Sequence, residues 1–247
     1  MPSTTLRRNH RASPDDGNPY WISFSDIMAG ILVIFILAVV VLILQLSQRQ
    51  ERVDRAIQEI QSINQLREII LEEIEEELKE RGIRVVISED KTILRIPEDL
   101  LAFETLEHEI PVDKKDIVAE IGEVILAAVT KGQRFKHIDT VFIEGHTDSR
   151  RADRFMLGLG NWGLSTARAI SVWKYWSEEL EYGGELRALR NQRGEPMFSV
   201  SGYGDTRRVE SEDDTPEKQR ANRRIDIRFS MRTPVLDDFE AIREEFQ

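Results

Sequence analysis

The chain has 247 residues, a formal net charge of -11 and a sequence pI near 5.0. This acidic balance excludes nucleic acid as the main partner, because phosphate binding requires an excess of clustered Lys and Arg. Cysteine is absent and only four histidines are present, which excludes disulfides, thiolate metal sites and a lipid-acceptor cysteine, and argues against a catalytic metal centre.

The N-terminal region combines a polar tail with an apolar segment. Residues 1–19 are polar and lack apolar periodicity, which predicts a disordered tail. A transmembrane helix is predicted over residues 20–47, because the eighteen uncharged residues from Ile27 to Leu44 span about 27 Å of helix and nearly cross a bilayer core. A cleaved signal peptide is the alternative. Against it, the apolar run exceeds the usual signal core and no small-x-small cleavage site follows.

A carboxylate, Asp26, opens the apolar segment. An ionised carboxylate in hydrocarbon costs at least a few kcal/mol, so the membrane favours the protonated form and Asp26 is a candidate ion carrier. Ser23 and Ser25 are candidate supports of the ion path, and their oxygens also suit sodium, so the ion stays open. The alternative is a helix cap, with Ser23 as N-cap and Asp26 in the first turn.

Residues 48–81 predict a charged amphipathic helical linker. They contain no Gly or Pro, and apolar residues recur at every third or fourth position to form one narrow stripe. The stripe consists of Val53, Ile57, Ile60, Ile63, Leu66, Ile70, Ile74 and Leu78. Such a stripe favours pairing with an identical helix and therefore a homodimer. The alternative is a spacer that lies against the following domain.

From Gly82 the pattern changes to short strands and helices, which predicts an α+β domain over residues 82–231, with a mixed sheet packed against helices. The predicted strands are residues 82–89, 91–97, 137–144, 198–201 and 224–231, and the predicted helices are residues 114–131, 164–179 and 216–222. Residues 232–247 form an acidic tail that we expect to be peripheral.

Several motifs occur in a fixed order along this domain. They are LRIPEDLLAF (residues 94–103), IEGHTD (143–148), NWGLSTARAISV (161–172), SGYGDTRRV (201–209) and RANRRIDIRF (220–229). In this order they resemble the OmpA-like peptidoglycan-binding domain, over residues 83–231. The resemblance specifies the expected fold as a single transmembrane helix and a helical linker followed by an α+β OmpA-like domain.

The resemblance also implies a binding site. Asp148 and Arg168 match the residues that grip diaminopimelate of the peptidoglycan stem peptide, and Asn161, Leu164 and Arg223 match positions that line or support the pocket. A carboxylate can accept from the ligand ammonium, and a guanidinium fork can bind its carboxylate. The alternative is that Asp148 caps its loop and Arg168 makes a helix-surface ion pair. The segment between Asp148 and Asn161 is longer than the usual family spacing, which leaves the details of the ligand open.

The whole architecture resembles the B subunits of MotAB-type stators. The stretch PYWISFSDIMAGILVIF, residues 19–35, is most similar to B subunits of the Zorya anti-phage defence systems. The resemblance implies a non-enzymatic homodimer inside a ring of MotA/ZorA-like channel subunits, with Asp26 carrying the driving ion. No cofactor is expected beyond that ion, a proton or sodium.

The same resemblance implies a single pass through the bacterial inner membrane, with the N-terminus in the cytoplasm and the C-terminal domain in the periplasm. Charge alone leaves this orientation open, because three arginines precede the span and three follow it. Two other functions remain as alternatives: a flagellar stator B subunit, and a passive tether between the inner membrane and the cell wall.

Overall fold

The computed structural model describes residues 19–101, 103, 106–153 and 158–232. The chain divides into two compact units, residues 1–55 and residues 56–247. A long helix is followed by short helices and a five-stranded sheet, so the predicted fold class is confirmed. The two predicted tails, residues 1–19 and 232–247, lie outside the described residues except for Pro19 and Arg232.

Helix α1, Pro19–Glu80, is continuous over 62 residues. From Phe24 onward it is long and apolar enough to cross a membrane. Its first turn holds no acidic residue, and Ser23 and Asp26 lie inside the helix, so the capping alternative for Asp26 is wrong. The side chains of Ser25 and Asp26 are exposed in the single chain, whereas the side chain of Ser23 lies outside the described part.

The apolar stripe of the linker is divided between two environments. Ile70, Ile74 and Leu78 are fully buried in the core of the following domain, whereas Ile57 and Ile60 are 47% and 45% exposed. The C-terminal half of the stripe therefore lies against its own domain, as the alternative interpretation holds, and is not available for pairing with an identical helix. The exposed half remains a candidate dimer surface.

Ion pairs reinforce this packing of α1. Two hydrogen bonds of 2.8 Å join the Arg134 guanidinium to the Glu73 carboxylate. These bonds, followed in importance by the one from Lys131, lower the pKa of Glu73 to about 2. Lys91, in the first hairpin, likewise contacts Glu68 and Glu72. The second half of α1 is thus a structural part of the domain.

The sheet has the strand order β1-β2-β5-β3-β4. Strands β1 (Val86–Ile87), β2 (Ile93–Pro97), β5 (Arg224–Met231) and β3 (Ile138–His146) pair antiparallel, and β4 (Phe198–Gly202) pairs parallel with β3. The helices are α2 (Glu98–Leu101), α3 (Lys115–Thr130), α4 (Gly160–Lys174), α5 (Gly183–Ala188) and α6 (Pro216–Asn222). A 3-10 turn, Val112–Lys114, precedes α3, a second 3-10 segment, Lys131–His137, follows it, and a π-helical turn, Tyr175–Glu179, extends α4.

The helices cover one face of the sheet. Apolar residues alternate along each strand, so that Val141 and Ile143 of β3 and Ile227 and Phe229 of β5 enter one core with the buried faces of α1, α3 and α4. Trp173 of α4 stacks on Phe198 of β4, with ring centroids 5.1 Å apart. Helix α4 therefore runs along β3 and β4, and its N-terminal half, which carries predicted site residues, lies beside the C-terminal ends of both strands.

Candidate functional site

The five residues predicted to bind the ligand line a single cleft of about 310 Å³. They are Asp148, Asn161, Leu164, Arg168 and Arg223. Asp148 follows the end of β3, the next three lie on one face of α4, and Arg223 separates α6 from β5. The structure thus brings together residues that are up to 75 positions apart in the chain.

Asp148 is a buried carboxylate that lines the cleft, with 4% of its surface exposed. Its Oδ1 accepts a hydrogen bond from the backbone N–H of Arg150 at 3.1 Å. This bond closes a local turn, as expected from the alternative in which Asp148 caps its own loop. Its Oδ2 accepts hydrogen bonds from Nε of Arg150 at 3.0 Å and from Nη1 of Arg223 at 2.5 Å, and Nη2 of Arg150 lies 2.8 Å away as part of the same ion pair. Asp148 therefore caps its loop and also presents a charged acceptor to the cleft.

Arg168 is also buried, with 4% of its surface exposed, whereas the alternative interpretation places it on the helix surface. Its Nε donates to the carbonyl oxygen of Glu107 at 3.0 Å, and its guanidinium lies 4.9 Å from the ring centroid of Phe103. Burial lowers the pKa of Arg168 to about 10, so the group is charged at neutral pH but poorly solvated. A ligand carboxylate beside it would offset that desolvation.

Arg223 bridges two carboxylates. Besides Asp148, it forms a two-pronged ion pair with Glu98, through Nε to Oε1 and through Nη2 to Oε2 at 2.6 Å. Burial opposes the charged form of Arg223, but the bonds to Glu98 and Asp148 outweigh it and raise the pKa of Arg223. Glu98 was not among the predicted site residues, although it lies within the LRIPEDLLAF motif that marks this part of the cleft.

Asn161 and Leu164 support the cleft in different ways. The Asn161 side chain accepts from the N–H of Ala152 at 3.1 Å and donates to Asp205 at 3.3 Å, so it ties two loops to the start of α4. Leu164 is buried with Ala152 and Ala167 in a small apolar cluster. These contacts hold the loop after Asp148 against the helix that carries Arg168.

Two glycines allow α4 to approach the sheet this closely. Gly145 of β3 and Gly202 of β4 are direct partners in the parallel register. A Cβ atom on Gly145 would lie 1.9 Å from the carbonyl oxygen of Ser165, and one on Gly202 would lie 2.4 Å from the backbone nitrogen of Thr166. Only glycine fits at these positions, and their absence of side chains places the Arg168 face of α4 beside Asp148.

A buried histidine, His146, lies two residues before Asp148 in the IEGHTD motif. Its ring stacks on Tyr203 with centroids 5.5 Å apart, and its Nε2 is 3.4 Å from Oδ2 of Asp226. Burial, followed by the charges of nearby arginines, lowers the pKa of His146 to about 2. These arginines come from β5, β2 and the loop after β4; they are Arg224, Arg228, Arg95 and Arg207. The ring is therefore neutral at physiological pH.

We expect this neutral ring to make the fold acid-sensitive. The pKa of His146 is lower in the folded chain than the ordinary value of about 6.5 in the unfolded chain, so the unfolded chain binds a proton first as the pH falls. The contribution of neutral His146 to the free energy of unfolding should be fully present above about pH 6.5. It should decline below that pH, by about 2 kcal/mol at pH 5. Urea unfolding of the wild type and of His146→Gln between pH 7.5 and 5 checks this. An equal loss of stability in both chains would contradict it.

The cleft combines a buried carboxylate, Asp148, with a buried guanidinium, Arg168, and both line the same small volume. Such an arrangement suits a ligand that carries an ammonium and a carboxylate group. The ammonium can replace the water lost from Asp148, and the carboxylate can replace the water lost from Arg168. Among the described residues, no group of three or more His, Asp or Glu side chains is arranged to hold a metal ion.

The fold and this cleft define the class of the domain. Residues 111–223 match the OmpA family, and this match contains all five residues of the predicted site. The domain that contains this cleft is therefore OmpA-like, and solved structures with a similar fold include a MotB-like protein. The comparison with curated proteins returned no match.

Three solved structures illustrate the similarity. A putative MotB like protein from Desulfovibrio vulgaris is 17% identical, with a TM-score of 0.52 over 70% of this chain and 98% of that chain. The periplasmic domain of Helicobacter pylori MotB is 24% identical, with a TM-score of 0.45 over 62% of this chain and 85% of that chain. The cell wall anchor of the T6SS from Pseudomonas aeruginosa is 21% identical, with a TM-score of 0.47 over 64% and 97% of the two chains. At these identities the similarity concerns the fold.

Proposed function

We propose that this chain is the non-enzymatic B subunit of an ion-driven inner-membrane motor of the MotAB type, anchored to peptidoglycan by its OmpA-like domain. The observation that carries the proposal is the cleft that buried Asp148 and buried Arg168 line together. The ligand is the diaminopimelate of the stem peptide, whose ammonium group binds Asp148 and whose carboxylate binds Arg168. Asn161, Leu164 and Arg223 hold these two groups in place.

The membrane helix supports the motor part of the proposal. Asp26 lies inside α1 and is exposed in the single chain, so its carboxylate is available to an A-type channel subunit. In hydrocarbon the protonated form is favoured, and protonation lets the side chain pass an apolar surface. Each proton that crosses the full membrane potential releases about 2.3 kcal/mol per 100 mV. Ser25, and Ser23 one turn away from Asp26, are proposed to line the ion path.

A dimer is part of the same proposal. Ile57 and Ile60 remain exposed on α1 and continue the spacing of Val53, which is 56% exposed. Two copies of this short apolar surface can pair. We therefore propose two B chains within a ring of MotA/ZorA-like subunits, with the N-terminus in the cytoplasm and the OmpA-like domain in the periplasm. The resemblance of residues 19–35 to ZorB-type subunits leads us to assign the motor to Zorya anti-phage defence.

Loss of the buried Arg168 guanidinium should strongly weaken anchoring. We expect Arg168→Ala to weaken binding of the full chain to purified diaminopimelate-type peptidoglycan by at least about 30-fold, since removing one partner of a buried charge pair costs about 2 kcal/mol or more. Arg168→Lys should also bind weakly, because a lysine ammonium cannot make the two parallel hydrogen bonds that a guanidinium can make to the ligand carboxylate. Co-sedimentation of the detergent-solubilised chain with peptidoglycan sacculi measures this.

Lys174→Ala is the matched control, because Lys174 is an exposed cation on the same helix and does not line the cleft. It should bind as the wild type does. Unfolding temperatures of all variants separate a lost ligand contact from a lost fold. If the wild type does not bind sacculi, or if folded Arg168→Ala binds equally well, anchoring through this cleft is wrong.

A further inference from the structure

The carboxylate proposed to receive the ligand ammonium is already covered by cations. Oδ2 of Asp148 accepts from Nε of Arg150 and from Nη1 of Arg223, and Nη2 of Arg150 lies 2.8 Å from it as an ion pair. Asp148 itself is 4% exposed. A ligand ammonium can therefore reach Oδ2 only if one of the two guanidinium groups moves away.

The two guanidinium groups differ in how firmly they are held. The Arg223 side chain is 17% exposed and is fixed by its two-pronged pair with Glu98 as well as by Asp148. The Arg150 side chain is 56% exposed and lies four residues after the end of β3. Releasing Arg150 returns an exposed, well-solvated cation to water, whereas releasing Arg223 would leave Glu98 without its partner. Arg150 is therefore the group that leaves.

We infer that Arg150 is a displaceable internal cation that occupies the place of the ligand ammonium on Asp148 and so determines the specificity of the cleft. The inference rests on the proposed peptidoglycan function. Binding is then an exchange of one cation for another on a carboxylate that stays paired throughout. Only a ligand that brings its own ammonium can complete this exchange, because any other ligand leaves Arg150 in position.

The exchange predicts a gain of affinity when Arg150 is removed. Ion pairs that involve an exposed side chain are weak, so Arg150→Ala should bind a diaminopimelate-containing muropeptide about two- to fivefold more tightly than the wild type. The same muropeptide with its free amino group acetylated should gain nothing, because it has no ammonium to place on Asp148. Isothermal titration calorimetry on the full chain in detergent micelles measures both ligands.

Arg193→Ala provides a matched control. Arg193 is an exposed arginine paired with Asp139 and Glu195, and it does not line the cleft, so its removal changes the net charge equally and should leave both affinities unchanged. Weaker binding by Arg150→Ala would overturn the inference, since it would mean that Arg150 contacts the ligand. An equal gain for the free and the acetylated muropeptide would also overturn it.

A second measurement does not depend on the ligand. Modification of the full chain with phenylglyoxal, followed by mass spectrometry, should label Arg150 faster in Asp148→Asn than in the wild type, with labelling of Arg193 unchanged. An unchanged rate at Arg150 would overturn its role as the cover of Asp148. If the wild type fails to bind the muropeptide while Arg150 labelling responds to Asp148→Asn, the proposed anchoring fails and the Arg150 contact stands.

Discussion

Asp26→Asn is expected to abolish phage protection in bacteria that carry this gene with its genomic neighbours. Asparagine keeps the size of the side chain but cannot take up and release a proton, so the ion that drives the proposed motor would no longer be carried. Plaque counts should rise to those of cells without the system. The position of Asp26 inside helix α1 makes this a test of ion carriage, because the residue does not cap the helix.

Asp54→Asn is the matched control, since Asp54 is an exposed aspartate on the same helix beyond the apolar segment. It should protect as the wild type does, at equal protein levels. If protection survives Asp26→Asn, the chain is a passive tether. If the wild-type system does not protect at all, the defence assignment fails, and loss of swimming in a deletion strain would identify a flagellar stator subunit.

Gly145→Ala is expected to have the largest effect on stability. The added Cβ would lie 1.9 Å from the carbonyl oxygen of Ser165, which is backbone and cannot rotate away as a side chain can. Because β3 and α4 would have to separate, we expect a loss of about 3 kcal/mol or more in the free energy of unfolding. That loss corresponds to a fall of about 6 °C or more in Tm. Circular dichroism of the full chain measures the transition.

Gly184→Ala is the control for this variant. Gly184 lies in the first turn of α5, where an added Cβ meets no atom within 4 Å and the backbone is not in the left-handed region. Its substitution should leave Tm unchanged or raise it slightly. If Gly145→Ala unfolds at the wild-type temperature, the close approach of α4 to the sheet is not required for the fold.

Local sequence patterns predicted most of the elements. The bounds of α6 and β5 agree with the structure residue by residue, since Thr215 and Pro216 mark the start of α6 and alternation marks β5. Helix α4 begins at Gly160, four residues before the predicted start at Leu164. The prediction missed this first turn because it contains two glycines and has no apolar periodicity. The short helices α2 and α5 were not predicted, since four to six residues are too few to show a period.

The features that the sequence did not predict depend on tertiary contacts. The linker stripe has the same spacing along its whole length, so its division between exposed Ile57 and buried Ile74 depends on where the domain packs. The role of Glu98 depends on Arg223, which lies 125 residues further along the chain. The five predicted site residues came from a motif resemblance, and their spacing alone did not show that they would line one cleft.

The bridge made by Arg223 also bears on the order of events during synthesis. Arg223, which directly precedes β5, binds both Glu98, near the start of the domain, and Asp148. A chain that emerges with its N-terminus first presents both carboxylates before the guanidinium that organises them. The cleft is therefore completed only when β5 has entered the sheet, so a nascent or truncated chain lacks the proposed binding site until the whole domain has folded.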